Sequence, residues 1–249
     1  MDYKKDSEEI EMNNWTINVR VEKNHLVTEL DGHLMLIDTG SPASFGEVCI
    51  TWDGEEIDLR DSPLCFSFER LRSHVGLDLK GLIGCDLLFK RDLQLDIPNG
   101  ELTLQDETAR NDESMLLETI MGVPMITTDI AGDTTKVAID TGAMQTFVRD
   151  HSSQGLPRVG TVDDFLPMGG EFTAELVEMH AIIGETHHAI KPAVIPPVLE
   201  TLLSLMTING IIGLDVLQIS KFEFAATKGF MTPQVKIQSE ADGWSNAIE

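Results

Sequence analysis

Residues in the first part of the chain alternate between apolar and polar side chains, which is the pattern of a half-buried β-strand. The alternation is clear over residues 15–20, which read WTINVR. Asp31-Gly32 then separates two apolar runs, and this dipeptide is a strong signal for a tight hairpin. Turn signals of this kind predict three hairpins in the first half, over residues 26–37, 48–59 and 93–104.

The second half repeats this strand-rich pattern. Strands are predicted over residues 123–130, 137–139, 172–183 and 188–195. Helical spacing is limited to residues 68–75 and 198–206, so the helices should be few and short. The polar stretch 105–114 has no periodicity and is typical of a linker. We therefore predict an N-terminal lobe of residues 1–106 and a C-terminal lobe of residues 107–249.

Two matched pairs of motifs indicate that the lobes are duplicates. The hydrophobic runs 36–41 and 138–143 both contain Asp-Thr-Gly, with the aspartates at Asp38 and Asp140. A hydroxyl residue follows each aspartate at the sixth position and a phenylalanine at the seventh (Ser44 and Phe45, Thr146 and Phe147). Later in each half, residues 81–88 and 210–217 both fit Gly-x-Ile-Gly-x-Asp-x-Leu. We infer that each lobe presents one aspartate to a shared site.

The residue types of these motifs suggest physical roles. Gly40 and Gly142 allow a tight turn that brings backbone N–H groups to the carboxylates. Thr39 and Thr141 can hydrogen-bond across the junction of the lobes. Ile83-Gly84 and Ile212-Gly213 would pack behind the two aspartate loops, because glycine permits close approach. Asp86 and Asp215 each precede a short apolar run, so we interpret them as helix N-caps.

Composition narrows the range of functions. The chain has 249 residues and a formal net charge of −24, from 18 basic and 42 acidic residues, which argues against nucleic acid and anionic membranes as partners. The charge fits either solubility or attraction of cationic substrates. The three cysteines, Cys49, Cys65 and Cys85, are odd in number and lack CxxC spacing, which favours a reducing compartment.

No targeting segment or cofactor is evident from the sequence. The N-terminus has no apolar signal-peptide core. The most apolar stretch, residues 193–217, is interrupted by Pro196-Pro197 and by acidic residues, so it is typical of a buried core and not of a membrane span. We expect a cytoplasmic protein. His180, His187 and His188 lack metal-ligand spacing, so we expect no metal and no other cofactor.

The paired Asp-Thr-Gly motifs, each with a later hydrophobic-Ile-Gly, resemble those of the aspartic peptidases, the group that holds pepsins and retroviral proteases. The resemblance covers residues 15–105 and 120–235, and the chain looks like two retropepsin-like units fused into one. It implies an all-β, bilobal fold of two pseudo-symmetric β-barrel lobes with a few short helices. It also implies a catalytic dyad of Asp38 and Asp140 in a monomer. The supporting positions would be Thr39, Gly40, Ser41, Ile83, Gly84, Thr141, Gly142, Ala143, Ile212 and Gly213.

The chain departs from the pepsin pattern in its flap, the hairpin that covers the substrate. Pepsins place a tyrosine in the flap, but the single tyrosine here is Tyr3. The interval from Asp38 to Gly84 is 46 residues, whereas that from Asp140 to Gly213 is 73. We therefore predict one main flap, from the C-terminal lobe, and at most a stub at Asp53-Gly54. The flap candidates are Met168, Gly169, Gly170 and Glu171.

The resemblance implies an aspartic endopeptidase that acts on extended peptides or unfolded proteins. Two close carboxylates share one proton, so one acts as general base on a water while the other protonates the scissile carbonyl. We hypothesise that the Ser41 hydroxyl donates to Asp38 and makes it the ionised partner, because Ala143 cannot do the same for Asp140. The alternative function is a bilobal binding module with little or no peptidase activity.

Overall fold

A computed structural model describes residues 14–61, 68–166 and 170–239 of the chain. Strands dominate these residues and the helices are short, so the predicted all-β, bilobal fold class is confirmed. In the N-terminal half the strands are Trp15–Glu22 (β1), His25–Leu30 (β2), His33–Ile37 (β3), Phe45–Gly46 (β4), Cys49–Trp52 (β5), Glu55–Asp58 (β6), Gly81–Ile83 (β7), Asp92–Asp96 (β8) and Glu101–Gln105 (β9).

The C-terminal half continues the series. Its strands are Met115–Ile120 (β10), Val123–Ile130 (β11), Asp133–Ile139 (β12), Phe147–Val148 (β13), Arg158–Leu166 (β14), Gly170–Val177 (β15), Met179–Ile183 (β16), Thr186–Ile190 (β17), Ala193–Val194 (β18), Ile211–Ile212 (β19), Lys221–Ala225 (β20), Phe230–Thr232 (β21) and Val235–Gln238 (β22). The α-helices are Phe68–Val75 (α1), Cys85–Leu88 (α2), Pro197–Leu205 (α3) and Leu214–Leu217 (α4).

The three predicted hairpins form as β2–β3, β5–β6 and β8–β9. At the first turn Asp31 and Gly32 both have positive φ, of 50° and 77°, as a two-residue turn with matching strand twist requires. Helix α1 matches its predicted range. The long strands predicted over 172–183 and 188–195 are each divided in two, and the second division contains Pro192, which has no N–H to donate.

Each lobe contains the same strand arrangement around its aspartate. In the N-terminal lobe β3 runs antiparallel to β2 and parallel to β7, with Ile37 beside Ile83. In the C-terminal lobe β12 runs antiparallel to β11 and parallel to β19, with Ile139 beside Ile212. A short strand completes each arrangement: β4 pairs antiparallel with β7 in the N-terminal lobe, and β13 pairs antiparallel with β19 in the C-terminal lobe. The internal repeat read from the sequence is therefore a structural repeat.

One antiparallel sheet joins the two lobes and was not anticipated from the sequence. Its six strands in the described residues follow the order β1, β9, β8, β20, β21, β10, with three from each half. The lobes meet at the β8–β20 pair, where Leu93 lies opposite Phe224 and Leu95 opposite Phe222. These side chains are almost completely buried. None of the helices in the described part of the chain has the length and apolar content needed to cross a membrane.

Candidate active site

Asp38 and Asp140 both lie directly after a buried strand, one at the end of β3 and the other at the end of β12. The neighbouring parallel strand fixes each one, since the N–H of Asp38 donates to the Ile83 carbonyl at 2.9 Å. The N–H of Asp140 donates to the Ile212 carbonyl at 3.0 Å. Ile83 and Ile212 thus position the two aspartates through the backbone.

Two backbone N–H groups hold each carboxylate in the same way. Asp38 Oδ1 accepts from Gly40 N–H at 2.8 Å and from Ser41 N–H at 3.0 Å. The corresponding distances at Asp140 Oδ1 are 2.8 Å from Gly142 and 3.1 Å from Ala143. The turn after each aspartate therefore folds its own N–H groups onto one carboxylate oxygen, as expected of the Asp-Thr-Gly sequence.

The two threonines connect the loops across the junction of the lobes. The N–H of Thr39 donates to Thr141 Oγ1 and the N–H of Thr141 donates to Thr39 Oγ1, both at 3.0 Å. Each hydroxyl also donates to a carbonyl of the opposite lobe, to Ile139 and to Ile37, at 2.9 Å. Both threonines are completely buried. These four bonds couple the positions of the aspartate loops.

The glycine of each motif lies against the aspartate of the other motif, a crossed contact that the sequence did not suggest. A Cβ atom at Gly142 would lie 2.5 Å from Cγ of Asp38, and a Cβ at Gly40 would overlap the Asp140 carboxyl. Each glycine is thus in contact with the aspartate of the other lobe. The glycines permit the tight turns, and they also permit the two carboxyls to approach each other.

Gly84 and Gly213 pack behind the loops as predicted. A Cβ at Gly84 would lie 2.7 Å from the carbonyl group of Ala43, and one at Gly213 would overlap the backbone of Gln145. The residues after these glycines also bind the loops, because the N–H of Cys85 donates to the Ser41 carbonyl at 2.9 Å. The equivalent bond joins Leu214 and Ala143 at 2.8 Å.

Burial raises the pKa of both dyad carboxyls. The charge of Asp140 and a hydrogen bond between the two side chains raise the pKa of Asp38 further. These shifts favour a pair in which the two carboxyls share one proton. Because the two groups are coupled, their apparent titrations belong to the pair.

The prediction that the Ser41 hydroxyl donates a hydrogen bond to Asp38 is wrong. The hydroxyl donates to the Ala43 carbonyl at 2.8 Å, and a single O–H cannot also donate to the carboxylate. Asp38 receives the backbone N–H of Ser41 instead, as Asp140 receives that of Ala143. The serine–alanine difference therefore does not distinguish the two carboxylates by a side-chain hydrogen bond.

The interpretation of Asp86 and Asp215 as helix N-caps is also wrong. The caps of α2 and α4 are Gly84 and Gly213, and each aspartate lies one residue inside its helix. Asp86 Oδ1 accepts the Ser44 hydroxyl at 2.6 Å, and Asp215 Oδ1 accepts the Thr146 hydroxyl at 2.7 Å. These partners are the matched hydroxyl residues of the repeat, so a long-range contact replaces the local cap.

A cavity of about 920 Å³ contains Asp38, Gly40, Asp140 and Gly142 in its lining. Most of the other lining side chains are apolar and come from both lobes, including Pro42, Phe45, Leu71, Val75, Phe147, Phe165, Phe172, Leu199, Leu202 and Met206. The dyad thus lies in a mainly apolar cleft between the lobes, of a size typical of ligand sites.

The β14–β15 hairpin of the C-terminal lobe borders this cleft. Asp164, Phe165 and Phe172 of the hairpin line the cavity. Among the flap candidates, Gly170 pairs with Leu166 and Glu171 pairs with Phe165 near the hairpin end. Met168 and Gly169 lie outside the described residues. Sequence reasoning placed the flap around residues 167–172, which includes Phe172, but it did not single out Asp164 and Phe165.

The hairpin contacts α1 of the opposite lobe through His74, a residue not singled out from the sequence. The rings of His74 and Phe165 are 5.0 Å apart, and His74 Nε2 lies 3.9 Å from Asp164 Oδ1. In contrast, the β5–β6 hairpin contributes no residue to the cavity lining, and its Trp52 is completely buried. Nothing in the local sequence of α1 indicates this contact, because it depends on the hairpin of the other lobe.

No protein-family model matches the chain, and no curated protein matches it by sequence. Among solved structures, it is similar to an aspartic proteinase from Irpex lacteus (11% identity, 91% of this chain and 97% of that chain, TM-score 0.48). It is also similar to basic 7S globulin from soybean (10% identity, 88% and 94%, TM-score 0.48) and to conglutin gamma from lupine seeds (8% identity, 89% and 94%, TM-score 0.49). These likenesses do not bear on activity, which depends on the residues of the cleft.

Proposed function

We propose that this chain is an aspartic endopeptidase whose Asp38–Asp140 dyad hydrolyses peptide bonds. The observation that carries the proposal is the pairing of two partly buried carboxyls with raised pKa, each held by two N–H groups, in one cleft. The glycine of each loop lets the opposite carboxyl approach, so both carboxyls could act on one substrate carbonyl. The alternative of a binding module shares the cleft but gives no role to the dyad.

The proposed mechanism uses the single proton that the pair shares. The ionised carboxyl takes a proton from a water between the two groups, and the water attacks the scissile carbonyl. The protonated carboxyl donates to the carbonyl oxygen, which gives a tetrahedral diol. The amine then leaves after protonation. This chemistry requires neither a metal nor a covalent intermediate, and the N–H groups of the loops keep the carboxyls in position throughout.

An extended peptide or a segment of unfolded protein is the substrate that the cleft favours. Its apolar walls come from both lobes, so a bound segment would contact both while its backbone crosses the dyad. We assign the role of flap to the β14–β15 hairpin, with Phe165 and Phe172 toward the substrate. Both aspartates belong to one chain, so a monomer would be sufficient for activity.

The proposal is tested by incubating the protein with an unfolded protein and a peptide library between pH 3 and pH 8. Asp38→Asn and Asp140→Asn should each abolish cleavage, because either variant removes the group that holds or takes the shared proton. Asp78→Asn is the matched control, since Asp78 is exposed and pairs with Lys80 away from the cleft. Circular dichroism would establish that all variants fold.

The outcomes separate the two candidate functions. Cleavage by the wild type and Asp78→Asn, with none by the dyad variants, supports the peptidase. If the folded wild type cleaves no substrate at any pH but binds library peptides, the binding module is the better description. Equal cleavage by wild type and dyad variants would indicate a contaminating protease and leave the peptidase without support.

A further inference from the structure

A second cavity lies in the C-terminal lobe and shares no lining residue with the dyad cleft. Its volume is about 440 Å³, within the usual range for small-molecule sites. Polar side chains dominate its lining, among them Arg149, His151, Ser152, Thr134 and Asn209. We refer to it as the Arg149 cavity.

Arg149 is the most unusual of these residues. Its Nε atom is buried without a hydrogen-bond partner. No ion pair of Arg149 is found among the residues that the structure describes, although the chain has 42 acidic residues. A buried donor without an acceptor is costly, and the cost is greater when the donor is charged. Arg149 lines the cavity, so an anion bound there would lie beside a positive charge that has no ion-pair partner within the described residues.

The equivalent position of the N-terminal lobe shows what is different here. Arg149 is the ninth residue after Asp140, and Glu47 is the ninth after Asp38. Glu47 has a partner within the chain, because its Oε2 lies 3.0 Å from Arg72 Nη1. Arg149 carries the opposite charge to Glu47. The described residues of the C-terminal lobe supply no ion-pair partner for it. The charge reversal is therefore not explained by internal pairing.

The rest of the lining is also suited to an anion. The side chains of Thr134, Ser152 and Asn209 make no hydrogen bond within the described residues, so their donors are available. Asp133 is the one acidic residue in the lining, and His151 Nε2 lies 3.2 Å from its Oδ2. Both side chains of this pair are more than half exposed, so solvent and salt screen the charge of Asp133.

We propose that the Arg149 cavity binds a phosphate group, either as the free ion or as part of a small phosphate monoester. The planar guanidinium can donate two parallel hydrogen bonds to phosphate oxygens, and the hydroxyl and amide side chains can donate to the others. The site is separate from the dyad, so it is independent of the proposed peptidase activity.

The test is isothermal titration calorimetry at constant ionic strength, with inorganic phosphate, O-phosphoserine and acetate as probes. We expect saturable binding of a phosphate probe to the wild type. Arg149→Gln should raise the Kd about tenfold or more, since it removes a charged hydrogen-bond donor. Arg149→Lys should bind with intermediate affinity, because it keeps the charge but loses the planar fork.

Arg158→Gln is the matched control for the loss of charge. Arg158 is a nearby arginine that already has partners, Asp150 and Glu175, each at 3.2 Å. The Arg158→Gln variant should bind phosphate as the wild type does.

The proposal is overturned if no phosphate probe binds the wild type, or if folded Arg149→Gln and Arg149→Lys bind as tightly as the wild type. Equal affinity for acetate would overturn the assignment to phosphate. Stronger binding of O-phosphoserine than of inorganic phosphate would identify the monoester as the ligand.

Discussion

At the scale of single residues, each Asp-Thr-Gly motif acts mainly on the opposite lobe. Thr39 and Thr141 bond across the junction, and Gly40 and Gly142 lie against the carboxyl of the other aspartate. The glycine is therefore required by a contact between the lobes as well as by its own turn. Adding one methyl group at this position should change the distance between the carboxyls.

Gly142→Ala is the direct test of this crossed contact. The new Cβ would lie 2.5 Å from Cγ of Asp38, so one carboxyl must move. Displacements of about 1 Å in a catalytic group can cost about 10²-fold in rate, and we expect a loss of kcat of this order. Steady-state kinetics with the best library peptide would measure it. Ala143→Ser is the control, since it introduces the residue that the first motif has at the equivalent position, Ser41, and it should retain activity.

Ser41→Ala should leave the acidic limb of the pH–rate profile unchanged. The hydroxyl donates to the Ala43 carbonyl, while the bond to Asp38 comes from the backbone N–H, which the variant keeps. The measurement is kcat/KM from pH 3 to pH 8 for both proteins. A clear shift of the acidic limb would mean that the hydroxyl reaches Asp38 during catalysis.

Asp215 should make stability depend on pH. Its Oδ2 is buried without a partner, and burial raises its pKa from 3.8 to about 6. Between about pH 4 and pH 6 the folded state therefore keeps a proton that the unfolded state has released, and stability falls as the pH rises through this window. The loss at neutral pH is on the order of 3 kcal/mol, from a shift of about two pKa units.

Urea unfolding at pH 4, 5, 6 and 7 would reveal this contribution. Asp215→Asn should flatten the pH dependence because the variant cannot ionise. Asp86→Asn is the matched control, since Asp86 is the exposed equivalent in the other lobe. If the Asp215→Asn and wild-type stabilities change in parallel with pH, the buried carboxyl is not the cause.

The sequence predicted those residues of the site whose role depends on their own loop. Asp38 and Asp140 could be identified because a hydrophobic run before a glycine turn is a local pattern that occurs twice. The crossed glycines could not, since the contact joins motifs 102 residues apart. Asp215 was misread for the same reason, because a helix-cap position is local whereas its partner Thr146 is 69 residues away.

At the scale of elements, the β14–β15 hairpin and α1 approach each other across the cleft. Phe165 lies against the His74 ring, and Asp164 is near enough to pair with a protonated imidazole. The hairpin was predictable from turn signals and from the longer spacing of the second lobe. Its docking on α1 was not, because no periodicity in residues 68–75 distinguishes a face that meets another lobe.

His74→Ala should weaken the packing of the β14–β15 hairpin against α1. The variant removes the ring contact with Phe165 and the contact with Asp164, so bound peptide would be less well covered. We expect KM to rise by about threefold to tenfold, as for the loss of one contact worth about 1 kcal/mol, with a smaller change in kcat. Hydrogen exchange of residues 158–166 and 170–177 should become faster.

Arg72→Gln is the control for changes in α1 itself. Arg72 belongs to the same helix but pairs with Glu47, away from the hairpin. Its KM and the hairpin exchange rates should match the wild type. If both variants alter exchange to the same extent, the effect comes from a destabilised helix and the proposed contact has no separate role.

At the scale of the whole molecule, the two lobes share one sheet as well as one cleft. Strands β8 and β20 pair at its centre, and Leu93, Leu95, Phe222 and Phe224 are buried there. The predicted boundary after residue 106 lies in the coil between β9 and β10, so it cuts the chain without cutting a strand. The boundary stays a prediction, and sequence patterning does not reveal that strands on its two sides pair with each other.

Separation at this boundary should therefore prevent folding of the fragments in isolation. Residues 1–106 alone would expose the edge of β8 and the apolar side chains that β20 covers, and an unpaired apolar edge favours aggregation. Residues 107–249 alone would expose the matching edge of β20. In contrast, the two fragments expressed together regain this pairing and the threonine bonds of the dyad loops.

We expect each fragment alone to be unfolded or aggregated by circular dichroism and size-exclusion chromatography, and the co-expressed pair to elute as one complex. Cleavage activity should appear only in the complex, because each fragment supplies one aspartate. The intact chain should unfold in one cooperative calorimetric transition, since neither lobe retains its covered sheet without the other. A fragment that folds stably on its own would contradict this dependence and would mean that the shared sheet is only a contact between independent lobes.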